Sequence, residues 1–349
     1  MIHNNAIYIK NIYYMLSYAF SVLNESEYQK IQTESFENIV ELLSEILIIG
    51  ITKQIKQGLI KDYIEVDDSV SSIKGKINMI DSINSLSIIK KRLVCNYDEF
   101  SENCYLNQIL KSTLNLLVKS DVAPERRNNL KKLLIYFTDV DLIEVKSINW
   151  KQKFDRNNQS YKMLINICYL IIYGLIQSEM LGDMRLMDFL DDQLMSSLYE
   201  NFLFNYYKKE HPDVLTHAPQ IDWQIDDGWD DLLPKMKTDV VLEYGSTILI
   251  LDAKFYSHNT SENYGRNVHY SGNLYQIFSY VKNKELELQG KGIEVSGMLL
   301  YAMTNQSIQP DSDYVMSGNK ISVKTLDLNQ DFEQIKNQLD KIVDDYLKE

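Results

Sequence analysis

The chain has 349 residues, 45% apolar and 24% charged, with 13 glycines, 5 prolines and a formal net charge of −13. This balance excludes a disordered chain and leaves room for two domains of ordinary size. The acidic charge excludes a protein that grips nucleic acid by bulk electrostatics, but not an enzyme that touches a few phosphates while a partner holds the duplex. Cys95, Cys104 and Cys168 show no CxxC pairing and no histidine at zinc-ligand spacing, which points to a reducing cytoplasm. The opening MIHNNAIYIKNIYY lacks the basic and apolar regions of a signal peptide. The longest apolar stretch, Met163–Ile176, is shorter than the ~20 residues a bilayer span needs, so no membrane association is expected.

In chain order, Ile12, Met15, Leu16 and Ala19 recur at helical spacing and predict a helix over Ile9–Asn24. A longer helix is expected over Ser35–Gly58, stopped by Gly58. Strand-like pieces follow at Leu59–Val66, Ser72–Asn78 and Arg92–Tyr97, then helical patterns at Glu102–Lys119 and Glu125–Phe137. Strands grouped between helices make residues 1–155 an α+β domain, ending in the polar stretch Lys151–Ser160. Residues 156–349 read as a second, α/β domain. Its expected order is helices Tyr161–Gln177 and Asp188–Tyr207, a strand near Val214–Trp223, and an acidic loop Asp222–Asp231. Two apolar strands then flank Gly245-Ser246, followed by a helix Asn273–Lys284, strands Ile293–Met303 and Lys320–Leu326, and a closing helix Phe332–Leu347.

The chemistry concentrates in KTDVVLEYGSTILILDAKFY, residues 237–256. Gly245-Ser246 suits a two-residue hairpin turn. In that register Tyr244 faces Thr247, Leu242 faces Leu249 and Asp239 faces Asp252. Side chains alternate along a strand, so Lys254 shares the face of Asp252. Two carboxylates about 5 Å apart repel by roughly 3 kcal/mol at an effective dielectric near 20. A hard divalent cation such as Mg²⁺ relieves that repulsion and gives the residues a task, metal-assisted phosphodiester hydrolysis. Lys254 is then placed to position the attacking water or to stabilise developing negative charge. The alternative is a structural pairing of Lys254 with one aspartate, and a short motif alone leaves it open. Against it, the runs Val240–Leu242 and Ile248–Leu251 read as strands buried on both faces, where solvation does not explain the charges. In the following NLYQIFSYVK, Leu274, Ile277, Phe278 and Val281 form the packing stripe, while Gln276 and Tyr280 share a different face.

TD-x12-DAK followed by a helix carrying NLYQ resembles the PD-(D/E)xK nuclease superfamily. The resemblance implies a restriction-endonuclease-like α/β domain with Asp239, Asp252 and the backbone carbonyl of Ala253 as Mg²⁺ ligands. It makes Lys254 the catalytic lysine, Gln276 the helix glutamine of one branch, and Glu200, in LYENFLFNYY, an acid of the first core helix. The sequence departs at Thr238, where the pattern has proline. A closer resemblance, to the McrC family of McrBC-type restriction systems, covers nearly the whole chain. IKNIYYMLSYAF, SIKGKIN, YLNQILKSTL, LLPKMKTDVVL, ILILDAKFY and NLYQIFSYV match it in order. It implies an endonuclease subunit that cuts double-stranded, 5-methylcytosine-type modified DNA beside an McrB-like AAA+ GTPase hexamer, with residues 1–155 docking on the ring. GTP belongs to the partner, since the chain has no G-x4-G-K-[ST] phosphate loop.

The remaining histidines (His3, His211, His217, His258, His269) lack companions at ligand spacing, and Tyr13-Tyr14 and Tyr206-Tyr207 read as core or interface. Two functions stand against the nuclease: a non-catalytic adaptor that stimulates and assembles the GTPase, and a nuclease of another defence or repair system.

Overall fold

The amphipathic opening becomes helix α1 (Ile9–Ala19) in the computed structural model, which describes residues 9–34, 36–155, 158, 160–181, 192–226, 232–263 and 266–348. A short α2 (Gln29–Thr33) follows. Tyr14 of α1 stacks on Phe332 with ring centroids 4.3 Å apart, and Asn11 donates to the carbonyls of Leu328 and Gln330. These contacts tie the start of the chain to its C-terminal part. One compact unit therefore joins residues up to Ile39 with those from Arg185 onward, and Val40–Met184 form another. This grouping differs from the expected division at 155/156, because helical periodicity shows which face is apolar but not which distant segment covers it.

The Val40–Met184 unit contains nearly all of α3 (Ile39–Gln57), then β1 (Asp62–Val70), β2 (Lys76–Ile77), α4 (Met79–Asn84), β3 (Leu93–Ser101), α5 (Tyr105–Lys119), α6 (Pro124–Leu134) and α7 (Tyr161–Leu181). Its sheet has the order β1-β3-β2, antiparallel throughout. The strand expected at Ser72–Asn78 shrinks to two residues before α4. At Gly75 (φ +57°) a Cβ would stand 2.3 Å from the Asn96 carbonyl oxygen, so the tight approach requires glycine. The Tyr161 hydroxyl donates to Asn107 Oδ1 (2.9 Å) and accepts from the Ile60 N–H (3.2 Å). Asn107 in turn donates to the carbonyls of Ile60 and Glu102. This buried network explains why α7 joins the middle unit.

The other unit continues with α8 (Asp192–Glu210), β4 (Leu215–His217), β5 (Gln220–Ile221), β6 (Met236–Lys237), β7 (Val240–Tyr244) and β8 (Thr247–Lys254). Next come β9 (Ser261–Asn263), β10 (Arg266–Val268), α9 (Ser271–Glu287), β11 (Glu294–Ala302), β12 (Ser312–Met316), β13 (Asn319–Leu326) and α10 (Phe332–Leu347). Residues 188–191 of the expected helix and 227–231 of the expected acidic loop lie outside the described residues. The main sheet has the order β12-β13-β11-β8-β7-β4. β11 runs parallel to β8 and β13, while the β7–β8, β4–β7 and β12–β13 pairs are antiparallel, giving a mixed α/β architecture. Helix α9 packs through Ile277 and Val281 on a core of Val241, Ile250, Leu299 and Val323. No helix among the described residues is long and apolar enough to cross a membrane.

Candidate active site

The hairpin forms in the register read from the sequence: Tyr244 faces Thr247, Leu242 faces Leu249 and Val240 faces Leu251. Gly245 takes φ +58° in its turn, a conformation a Cβ disfavours. Asp239 lies one residue before the ladder. Its Oδ2 accepts the N–H of Ala253 at 2.8 Å, which turns the carboxylate onto β8 beside Asp252. Asp252 is only 1% exposed, in a strand whose Ile248–Leu251 run is wholly buried. Lys254, two residues on, forms an ion pair with Asp252 Oδ2.

Lys254 Nζ also donates to Gln276 Oε1 at 3.1 Å, and Gln276 Nε2 donates to the Tyr280 hydroxyl at 2.9 Å. The fold thus brings Asp239, Asp252, Lys254 and Gln276 together from two strands and a helix. Tyr280 differs from expectation. It keeps its place beside Gln276 but is buried with Ile277 and Val281 instead of lying on a separate face. Its ring is large enough to reach the core while its hydroxyl meets the polar chain.

Burial raises the carboxyl pKa values, and like charge adds to the effect at Asp239 and Glu200. Asp239 is pushed up to about 7 by burial first, then by Asp252 and Glu200, against the opposing Ala253 N–H and Lys254. Burial raises Asp252, and Lys254 only partly offsets it. Burial works to lower Lys254, but Asp252 outweighs it and holds the ammonium above its ordinary range. Glu200 of α8 is raised by burial and feels the charges of both Lys254 and Asp252, so it stands in the same electrostatic neighbourhood.

Two observations bear on a metal. Asp252 Oδ2 is buried with no aligned hydrogen-bond donor, although the Lys254 ammonium lies against it. A buried carboxylate oxygen held by an ion pair, beside a second carboxylate, suits a hard cation. Among the described residues, no group of three His, Cys, Asp or Glu side chains is arranged to hold a metal. The side-chain donors at hand are therefore the two aspartates, and any further ligands would come from main chain or water.

Sequence reasoning missed Asn273. It donates to the Tyr301 hydroxyl at 2.8 Å and accepts from that of Tyr256 at 3.4 Å, at the point where Tyr301 pairs with Lys254. Its spacing of three from Gln276 on one helix was the available signal. His211 and His217, which lack companions at ligand spacing in the sequence, meet Asp340 and Glu243 through the fold, both at 2.8 Å. His269 meets the Tyr314 hydroxyl. Tyr13, Tyr206 and Tyr207 are buried.

A family described as "McrBC 5-methylcytosine restriction system component" matches residues 3–302. The type IV methyl-directed restriction enzyme EcoKMcrBC of Escherichia coli (strain K12) is 29% identical over 350 residues, covering 97% of this chain and 98% of the relative. A half-complex from a tetradecameric assembly of Thermococcus gammatolerans McrB AAA+ hexamers with bound McrC aligns over 93% of this chain and 75% of that one. It is 17% identical with a TM-score of 0.48. The T. gammatolerans McrBC complex aligns over 58% of this chain and 59% of that one, with 17% identity and a TM-score of 0.40.

Proposed function

The chain belongs to the McrBC 5-methylcytosine restriction system component family, and on that premise we propose that it is the endonuclease subunit of a modification-dependent restriction complex. In this reading the unit holding the mixed sheet is a PD-(D/E)xK nuclease that hydrolyses phosphodiesters of double-stranded, 5-methylcytosine-type modified DNA in the cytoplasm. The observation that carries it is the cluster of buried Asp252 with half-buried Asp239 and Lys254, closed by Gln276. A stable sheet centre gains nothing from two adjacent carboxylates with a single ammonium against them.

Asp239, Asp252 and the Ala253 carbonyl would hold Mg²⁺, with Glu200 near enough to tune the site. The cation would supply Lewis acidity toward a phosphate oxygen and a more acidic water. The chain's own residues supply the rest. The Ala253 N–H fixes Asp239 Oδ2, and Oδ1 would be the atom offered to a ligand. Lys254 places a positive charge where negative charge grows at the phosphate, and Gln276 holds its ammonium against drift. Tyr280 donates no proton to Gln276. Its hydroxyl oxygen accepts from the amide, which keeps the amide oxygen toward Lys254.

GTP hydrolysis falls to an McrB-like AAA+ partner ring, and we assign docking on that ring to the Val40–Met184 unit. Support comes from the apolar side chains it exposes, Ile80 and Ile89 above all, at 72% and 77%. The test is cleavage of modified plasmid by the complex with GTP and Mg²⁺. Asp252→Asn and Lys254→Ala should each lower cutting by at least about 100-fold, the scale of losing one charge-stabilising group. Both should still stimulate the partner's GTPase. If both variants and the wild type stimulate equally and none cuts, the chain is the non-catalytic adaptor.

A further inference from the structure

Gln276 reaches Lys254 because α9 lies close on the sheet, and that closeness has an identifiable cause. Under the helix, in β11, stands Gly297, paired with Ile250 of β8 and Ile321 of β13. A methyl group there would lie 2.7 Å from Val281 Cγ2, 2.8 Å from Ile277 Cγ1 and 3.2 Å from Ile321 Cδ1. The backbone of Gly297 is not in the left-handed region, so the position calls for small size and not for flexibility. Ile277 and Val281 are fully buried, and each directly follows a member of the polar chain, Gln276 or Tyr280. One turn earlier, Asn273 bridges the hydroxyls of Tyr256 and Tyr301, which belong to the segments carrying and facing Lys254.

We infer that Gly297 and Asn273 are positioning residues that seat α9 at the distance from which Gln276 holds the Lys254 ammonium. The inference rests on the nuclease reading above and adds what sets its geometry. The Lys254–Gln276 bond, at 3.1 Å, is near the long end of a good hydrogen bond, so a small lift of the helix breaks it. A close-packed interface transmits such a displacement, since it has no free volume to absorb it. Gly297 acts from beneath by letting the helix approach. Asn273 acts from the helix start by fixing its rotation.

A double-mutant cycle on single-turnover cleavage of modified plasmid, in the full complex with GTP and Mg²⁺, tests the seat. Gly297→Ala should slow cutting by roughly 10- to 100-fold, the scale of a sub-ångström to ångström misplacement. Asn273→Ala, which removes only hydrogen bonds and endangers folding less, should slow it by about 3- to 10-fold. In either background Gln276→Ala should add almost nothing, while DNA affinity and GTPase stimulation stay at wild-type values. Losses that multiply, or wild-type cutting by both variants, overturn the proposal. A crystal structure of the Gly297→Ala protein, or of Asn273→Ala should the first not fold, reads the seat without activity. The Lys254–Gln276 separation should exceed hydrogen-bond range, and an unchanged separation sinks the inference. If wild type fails to cut, or Asp252→Asn cuts as well as wild type, the nuclease reading has failed, and the structural arm alone decides the seat.

Discussion

Around Asp252 the mixed sheet buries charge, whereas around Ile80 the small sheet of the middle unit and its attached helix expose apolar surface. Ile73, Met79, Ile80, Ile83, Leu86 and Ile89 all face solvent, interleaved with exposed Lys74, Lys76, Lys90, Lys91 and Arg92. The same unit has an ordinary core of Leu43, Ile46, Ile109, Leu110 and Leu114, so it does not lack apolar residues to bury. Both regions depart from what folding alone favours, in opposite senses. Buried, imperfectly paired charge signals a site that a ligand completes. Exposed, clustered apolar surface signals a face that a partner completes.

The comparison breaks most visibly at the exposed face. Ile80→Glu with Ile89→Glu should leave the protein folded, because neither side chain is buried. Association with the partner GTPase should weaken on the order of 100-fold, as expected when two interface anchors are lost. Titrating GTPase stimulation against subunit concentration measures this. Unchanged stimulation would remove the face from the docking surface and leave its exposure without a role.

A smaller effect sharpens the buried half. Asp239 sits near pH 7 when folded, above its ordinary value of 3.8, so the folded protein holds a proton that the unfolded chain has released. Without divalent cations, its contribution to stability therefore declines as pH rises from about 4 through 7, then levels off. Between pH 6 and 8 the metal-free protein should lose about 3 °C in Tm relative to Asp252→Asn, in which the neighbouring like charge is gone. Mg²⁺ should restore the loss at pH 8 and do little at pH 5.5, where the proton already neutralises the pair. Scanning calorimetry at the two pH values, with and without Mg²⁺, checks it, and an identical Mg²⁺ effect at both would separate the carboxylates from metal binding.

The hairpin was legible because its signals are local. A Gly-Ser turn, strict alternation and two apolar runs set the register, and the register placed Asp239, Asp252 and Lys254 on one face. The closing helix Phe332–Leu347 was equally legible from its apolar stripe. The edge strand Ser312–Met316 was not, because its residues are mostly exposed and carry no apolar alternation. Nor was the division of the chain. It depends on Tyr14 meeting Phe332 and Tyr161 meeting Asn107, contacts between distant segments that no local pattern encodes. Gly297 reads in sequence as one more strand residue, and its use appears only once α9 is seen above it.

The smallest expected effect concerns Tyr280, where the two kinds of departure meet in one side chain. Its ring belongs to the core beneath α9, and its hydroxyl accepts the Gln276 amide. Tyr280→Phe keeps the ring and removes only the acceptor, so folding and Tm should hardly change. The Gln276 amide then loses the partner that fixes which end faces Lys254, and it can turn its NH₂ group toward the ammonium. Lys254 keeps its ion pair with Asp252, so catalysis should fall only about 3- to 10-fold, the worth of one hydrogen bond. The cleavage rate with partner, GTP and Mg²⁺ measures this. A loss as large as that of Lys254→Ala would mean instead that the Tyr280 hydroxyl itself contacts the DNA. A loss confined to Tm would make the tyrosine a core residue whose polar end is incidental.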